Sequence, residues 1–184
     1  MLYTIGHSNH GIEPFLDLLR RHAIETVADV RSRPYSRFVP HFSKPRLARL
    51  LAEAGIGYLY LGAELGGKPL SGETSATTVD YASRVRQPEF RAGVEQLLAA
   101  ARERRVAMLC RERDPLDCHR LHLICRSVKR LIGEIGHILP DGSLEAQDET
   151  ERRLLMRVGA GQGLPFEPAD PLQQAYDQWW QRAR

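Results

Sequence analysis

Short apolar segments alternate with amphipathic, helix-like segments along most of this chain. The predicted strands cover residues 3–5, 25–30, 56–61, 106–110 and 134–139. Strands that alternate with helices build a parallel sheet, because each crossover returns the chain to the same end of the sheet. We therefore predict an α/β fold with a layered, open, mostly parallel five-stranded sheet flanked by helices. A partial or distorted barrel is the alternative, since alternation does not fix the strand order.

The C-terminal part of the sequence has a different character. After the last predicted strand, residues 149–157 and 170–184 each predict a helix, and a glycine-rich link joins them. We predict an α/β domain over residues 1–148 and a C-terminal extension over residues 149–184. The terminal helix carries Trp179 and Trp180. It either docks on the domain or contacts a partner or a second copy of the chain.

Composition excludes several classes of protein. No apolar run reaches the length of a membrane span, and the N-terminus runs directly into strand-like sequence. We expect a cytoplasmic protein with no membrane partner.

The chain has 3 cysteines and a net charge of +3. An odd cysteine count in a reducing compartment predicts free thiols. Almost all the cations are arginines, which suit phosphate recognition but also reflect a GC-rich genome.

Distinctive polar residues close or follow every predicted strand. The carboxyl ends of parallel strands meet at one edge of the sheet, where helix N-termini and loops build ligand sites. In chain order these residues are His7 and Ser8; Asp29, Arg31 and Ser32; Glu64, Gly66 and Gly67; Cys110 and Glu112; and His137, Asp141 and Gly142.

Residues 110–120, with the sequence CRERDPLDCHR, lie where the fourth strand leads into a helix predicted over about 116–132. Either Asp114 caps the helix and Cys118 is its fourth residue, or Asp117 caps it and Cys118 leads it. In both registers the helix N-terminus favours a thiolate at Cys118. The alternative is a small buried side chain. Cys125 lies seven residues further on and is predicted to belong to the core.

The candidate site residues all lie near the carboxyl edge of the predicted sheet. The predicted catalytic residues are Cys118, His119, Glu112, His7 and Asp29, and the predicted ligand contacts are Ser8, Arg31, Ser32, Arg120, Gly66, Gly67 and Cys110. Structural alternatives stay open for several of them. Asp29 and Arg31 could form a structural ion pair, and His7 could be a buried histidine that bonds to backbone. Gly66 and Gly67 could belong to a plain turn.

Five segments of this set occur together in a known pattern. They are YTIGHS at 3–8, DVRSRP at 29–34, LGG at 65–67, LCRE at 109–112 and CHR at 118–120. In this order they resemble the bacterial and archaeal family catalogued as domain of unknown function 488, over about residues 2 to 145. The resemblance implies a compact α/β domain with a cysteine-containing site at these same positions.

Four functional hypotheses are consistent with these residues. The first is a cysteine-dependent enzyme, without a cofactor, for an anionic phosphate-bearing ligand such as a nucleotide or nucleic acid, held by Arg31 and Arg120. The second is a non-catalytic nucleic-acid or nucleotide binding module that uses residues 31–42, where arginines and aromatic residues interleave. The third is a metal-dependent enzyme that uses Cys110, Cys118 and a histidine. The fourth is a buried polar network, with function carried by the terminal helix.

Overall fold

A computed structural model describes residues 1–67, 81–159 and 170–182 of the 184-residue chain. Six strands form one sheet: β1 (Leu2–Gly6), β2 (Thr26–Asp29), β3 (Gly57–Tyr60), β4 (Val106–Cys110), β5 (Ile135–Ile138) and β6 (Leu144–Ala146). Their order is β3-β2-β4-β1-β5-β6, and every pairing is parallel except that of β5 with β6.

The predicted α/β class and the mostly parallel sheet are confirmed, but the predicted count of five strands is wrong. The sixth strand, β6, is three residues long and lies antiparallel on β5 after a tight turn. So short a segment carries no alternation that sequence could reveal, and its pairing depends on the free edge of β5. The barrel alternative is also wrong, because β3 and β6 form two open edges.

Helices cover both faces of this sheet. They are α1 (Ile12–Arg21), α2 (Lys44–Glu53), α3 (Gly62–Leu65), α4 (Tyr81–Arg86), α5 (Pro88–Glu103), α6 (Arg126–Ile132), α7 (Gln147–Val158) and α8 (Pro171–Arg182). Successive strand residues point to opposite faces. In β1, Tyr3 and Ile5 therefore pack with α1 and α2, whereas Leu2 packs in a second core with α5 to α8.

The terminal helix docks on the domain. Leu154 of α7 and Ala175 and Tyr176 of α8 are buried in the second core. Tyr176 donates its hydroxyl to Glu151 Oε1 at 2.7 Å, which fixes α8 against α7. The division at residue 148 stays a prediction. The side chains of Trp179 and Trp180 lie outside the described part of the chain.

Two other predicted segments also lie outside the described residues. They are the polar loop near residues 70–78 and the glycine-rich link beyond residue 159. Among the helices that are described, none combines the length and the apolar character needed to cross a membrane.

Candidate functional site

The loops after β1 and β2 bring polar groups together at the carboxyl edge of the sheet. Arg31 donates from Nε to Asp29 Oδ1 at 2.8 Å and from Nη2 to Asp29 Oδ2 at 2.6 Å. Its Nη1 lies 3.1 Å from His7 Nε2, and Tyr58 donates its hydroxyl to Asp29 Oδ2 at 2.7 Å. Asp29 and Arg31 are buried. They form a bidentate ion pair that is shielded from water.

His7 is held in one tautomer. Because Arg31 can only donate hydrogen bonds, His7 Nε2 accepts, and Nδ1 donates to the Ser8 carbonyl at 2.8 Å. The ring stacks on Phe42 with the ring centroids 4.3 Å apart. Burial and the charge of Arg31 lower the pKa of His7 to about 4, so the ring is neutral near pH 7. Both ring nitrogens already have partners inside the protein.

The loop after β4 gathers a second group of side chains, which we call the thiol cluster: Cys110, Glu112, Cys118 and His119. One ligand atom from each lies within 4.8 Å of the others. The Cys110 thiol donates to Glu112 Oε2 at 3.0 Å, and the Cys118 thiol donates to the same oxygen at 3.2 Å. His119 Nδ1 lies 3.5 Å from Cys110 Sγ and 3.9 Å from Cys118 Sγ. Both thiols are buried.

Neither predicted helix register for Cys118 is correct. Asp114 does act as a cap, since it accepts from the backbone N–H of Leu116, but it caps only a 3₁₀ turn, Pro115–Asp117. Cys118 is extended, with φ −129° and ψ 140°. A π-helix, Arg120–Cys125, then leads into α6. The backbone N–H of Arg120 still points at Cys118 Sγ, at 3.4 Å.

The acidic groups of the thiol cluster differ in how easily they lose a proton. Burial alone raises the pKa of Cys118, but a hydrogen bond with Cys110 and the charge of Arg120 outweigh it and lower that pKa to about 5. Burial raises the pKa of Cys110. Burial opposes ionisation of Glu112 as well, yet hydrogen bonds from the two thiols lower its pKa to about 2. Glu112 therefore ionises first and Cys118 second, and the hydrogen bond from Cys118 to Glu112 exists only while Cys118 keeps its proton.

Arg120 is fully buried and faces the protein interior. It donates from Nη1 to the Glu112 carbonyl at 2.6 Å and from Nη2 to the Arg113 carbonyl at 3.2 Å. These bonds fix the backbone that carries Glu112. The predicted anion-binding role for Arg120 stays untested, but its guanidinium already serves to position the thiol cluster.

Two predicted glycines allow close packing around the site. A Cβ at Gly67 would lie 2.8 Å from His119 Cγ, and a Cβ at Gly66 would lie 2.3 Å from Ser32 Oγ. Any larger residue would push the loop after β3 away from both side chains. The structure therefore brings Gly66 close to Ser32 and Gly67 close to His119, and their predicted ligand contacts stay predictions.

Ser8 reaches the site through its backbone rather than its hydroxyl. The hydroxyl donates to Asn9 Oδ1 at 3.2 Å in an exposed position. The Ser8 backbone N–H donates to the Arg111 carbonyl at 2.9 Å, and its φ is +46°. The catalytic and ligand-binding roles assigned to all the candidate residues stay predictions, although most of their side chains are brought together.

Sequence reasoning missed Tyr58 and the carbonyl of Val30. His119 Nε2 lies 3.2 Å from the Val30 carbonyl oxygen, so it donates to that oxygen and leaves Nδ1 facing the thiols. Tyr58 sits on β3, which pairs directly with β2. A tyrosine on a strand next to a buried carboxylate is a usable signal only once the strand order is known.

Comparison with known proteins gives one match. Residues 11–126, more than half of the chain, match the family model described as Domain of unknown function DUF488. No curated protein and no solved structure matches the chain. The matched range includes the ion pair of β2 and the whole thiol cluster, whereas His7 and Ser8 precede it. This chain is a member of the DUF488 family.

Proposed function

We propose that the thiol cluster binds a transition metal of the zinc class and that the protein is a metal-dependent enzyme. The observation that carries this proposal is the convergence of two thiols, one imidazole and one carboxylate within 4.8 Å. Two soft thiolates with an imidazole favour zinc over harder ions such as magnesium.

The separations within the thiol cluster support a four-coordinate site. Tetrahedral zinc with ordinary bond lengths holds neighbouring ligand atoms roughly 3.3–3.8 Å apart. The distances between the thiol sulfurs and His119 Nδ1 are 3.5 and 3.9 Å, and those from the sulfurs to Glu112 Oε2 are 3.0 and 3.2 Å. Small side-chain rotations would bring all four atoms onto one ion.

The partners around the cluster also resemble those of a metal site. Histidine ligands generally donate their second ring N–H to a carbonyl or carboxylate, which fixes the tautomer and the ring orientation. The Val30 carbonyl is placed to do this for His119. The Arg120 guanidinium holds the Glu112 carbonyl, and the Arg120 N–H points at Cys118 Sγ.

Glu112 differs from the other three residues in its exposure. Its side chain is 29% exposed, whereas both cysteines are buried. Cys110, Cys118 and His119 would therefore be the firm ligands, and the carboxylate would be the ligand that a substrate displaces. A bound zinc ion would supply Lewis-acid chemistry there. The anionic, phosphate-bearing ligand expected at this edge is part of the proposal as the substrate.

Metal content of the untagged full chain, purified without chelators, tests this proposal. We expect about one zinc per chain, and a cobalt-substituted sample should show intense thiolate-to-cobalt absorption. Cys118→Ala should lose the metal and the absorption. Cys125→Ala is the matched control, because Cys125 is equally buried but lies outside the thiol cluster. Substoichiometric metal after reconstitution with zinc would exclude the proposal.

A second candidate is an enzyme with Cys118 as a metal-free nucleophile. The Arg120 backbone N–H at 3.4 Å and the nearby His119 ring favour it, since both stabilise a thiolate. Cys118 is only 1% exposed, however, which suits a ligand better than a group that has to reach a substrate. Alkylation mapped by mass spectrometry decides: a metal-free nucleophile predicts that Cys118 is modified faster than a model thiol in protein shown to hold no metal.

A further inference from the structure

The segment after β2 is strongly basic. Residues 30–52 contain six cations and no carboxylate, although the net charge of the whole chain is only +3. Arg31 pairs with Asp29, and Arg49 lies 3.5 Å from Glu53. Arg33 and Arg37 are exposed and form no ion pair with any residue that the structure describes. This segment therefore presents uncompensated positive charge to solvent.

Two aromatic rings stand out from the same segment. Phe38 is 80% exposed and Tyr35 is 68% exposed. Among the side chains whose exposure the structure describes, these are the most exposed aromatic ones, and they are three residues apart. The Arg37 guanidinium lies 4.8 Å from the centroid of the Phe38 ring. Exposed rings carry a hydration cost that stacking against a flat partner relieves.

Hydrogen bonds within the segment hold it in shape. The Lys44 N–H donates to the Pro34 carbonyl at 2.8 Å and closes a loop over residues 34–44. Inside it, Ser36 Oγ accepts from the N–H groups of Phe38 and Val39 at 3.3 and 3.2 Å. The rings are therefore displayed on a preformed loop, which reduces the entropy lost when a ligand binds.

This loop lies at the same edge of the sheet as the thiol cluster. Val30 precedes this loop, and its carbonyl accepts from His119. Phe42 lies within the loop, and its ring stacks on His7. In the neighbouring loop after β4, Arg111 and Arg113 are exposed on either side of Glu112. A chain bound across the rings would thus lie beside the thiol cluster.

We infer that residues 33–43, which we call the aromatic loop, bind single-stranded nucleic acid and deliver it to the thiol cluster. Exposed rings stack on unpaired bases of any sequence, and arginines between them neutralise phosphates. A duplex keeps its bases stacked inside and offers the rings no face. The inference rests on the proposed metal-dependent function, since it names the class of substrate for that site.

Fluorescence anisotropy with the full chain and labelled dT and rU oligonucleotides of about 20 nucleotides tests the inference at low salt. Tyr35→Ala/Phe38→Ala should weaken binding at least tenfold, because each stacked base contributes about 1–3 kcal/mol. Arg33→Gln/Arg37→Gln should lower the salt-dependence slope by about 1.4. Arg152→Ala/Met156→Ala is the matched control. It removes an exposed arginine and an exposed apolar side chain from α7 and should bind like the wild type.

Three results would overturn the inference. They are no binding of either oligonucleotide at low salt, duplex binding as tight as single-strand binding with no effect of removing the rings, and a preference for vesicles containing phosphatidylserine over both oligonucleotides. Zinc content is measured on every sample. Failure of the zinc-loaded wild type to bind either oligonucleotide counts against the aromatic loop alone, whereas absence of zinc from the wild type counts against the proposed function.

Discussion

Replacing Gly6 by alanine should disturb the thiol cluster from outside it. Gly6 is the last residue of β1 and pairs with Cys110. A Cβ at this position would lie 1.9 Å from the Glu112 carbonyl oxygen and 3.1 Å from Arg120 Nη1. A relaxed carbon-to-oxygen contact needs about 3.3 Å, so the Glu112 backbone has to move by about 1.4 Å. Such a shift is about half the 2.6 Å length of the hydrogen bond between Arg120 Nη1 and that oxygen, which is enough to break the bond.

The displacement has two measurable costs. Overpacking of a close contact destabilises a protein by about 1–3 kcal/mol, which urea unfolding would detect. Loss of the support for Glu112 should weaken zinc binding by about 10- to 100-fold in a competition titration against a chromogenic chelator. Gly11→Ala is the control, because its Cβ would meet nothing closer than 3.5 Å and its φ is −65°.

Wild-type stability and zinc affinity in Gly6→Ala would refute the reasoning, since they would mean that the loop after β4 can move without consequence. Equal losses in Gly11→Ala would refute it in another way. They would show that any added methyl group near the end of β1 has the effect, and that the close approach to Glu112 is not its cause.

Three further predictions concern buried polar groups. Asp29→Asn should cost about 3–5 kcal/mol in urea unfolding, because Arg31 stays buried without its counter-charge. Burial lowers the pKa of His137 from 6.5 to about 4, so the folded state favours the neutral ring. His137 should contribute up to about 3 kcal/mol of stability that is present above about pH 6.5 and lost as the pH drops towards 4. His137→Gln should remove that share from the urea-derived profile, whereas the shares of His7 and His122, whose pKa values are also lowered by burial, should remain. Tyr176→Phe should cost about 2 kcal/mol in thermal unfolding, because it removes a hydrogen bond to the Glu151 carboxylate.

The strands and their common edge could be predicted because their signals are local. Residues 106–110 of the sequence form β4 with the predicted bounds, since a buried parallel strand is a continuous apolar run. Polar residues directly after such runs have to lie at one edge, whatever the strand order. Asp29, Cys110 and Glu112 could therefore be predicted to lie in the same region without knowing which strands are neighbours.

The conformation at Cys118 could not be predicted in this way. A proline after a capping aspartate predicts a helix start, but it does not tell a 3₁₀ turn from an α-helix. The π-helix that follows begins at Arg120, whose buried guanidinium donates to the Glu112 and Arg113 carbonyls, and no local sequence pattern indicates these long-range bonds. The role of Tyr58 could not be predicted either, because its contact with Asp29 follows from the pairing of β2 with β3.

The two arginines at the centre of the sequence argument have internal partners, and this changes where an anion would bind. Arg31 is bound to a carboxylate and a histidine, and Arg120 is bound to two carbonyls. A ligand phosphate would have to break these bonds to reach Arg31, at a cost comparable to the bond it gains. Arg120 keeps an Nε without a partner, but it is fully buried, so an anion would have to leave water to reach it. Arg33 and Arg37 are exposed and have no ion pair with any described residue, so they carry no such cost. The predicted ligand contacts of Arg31 and Arg120 stay predictions, and the exposed arginines are the easier ones for an anion to approach.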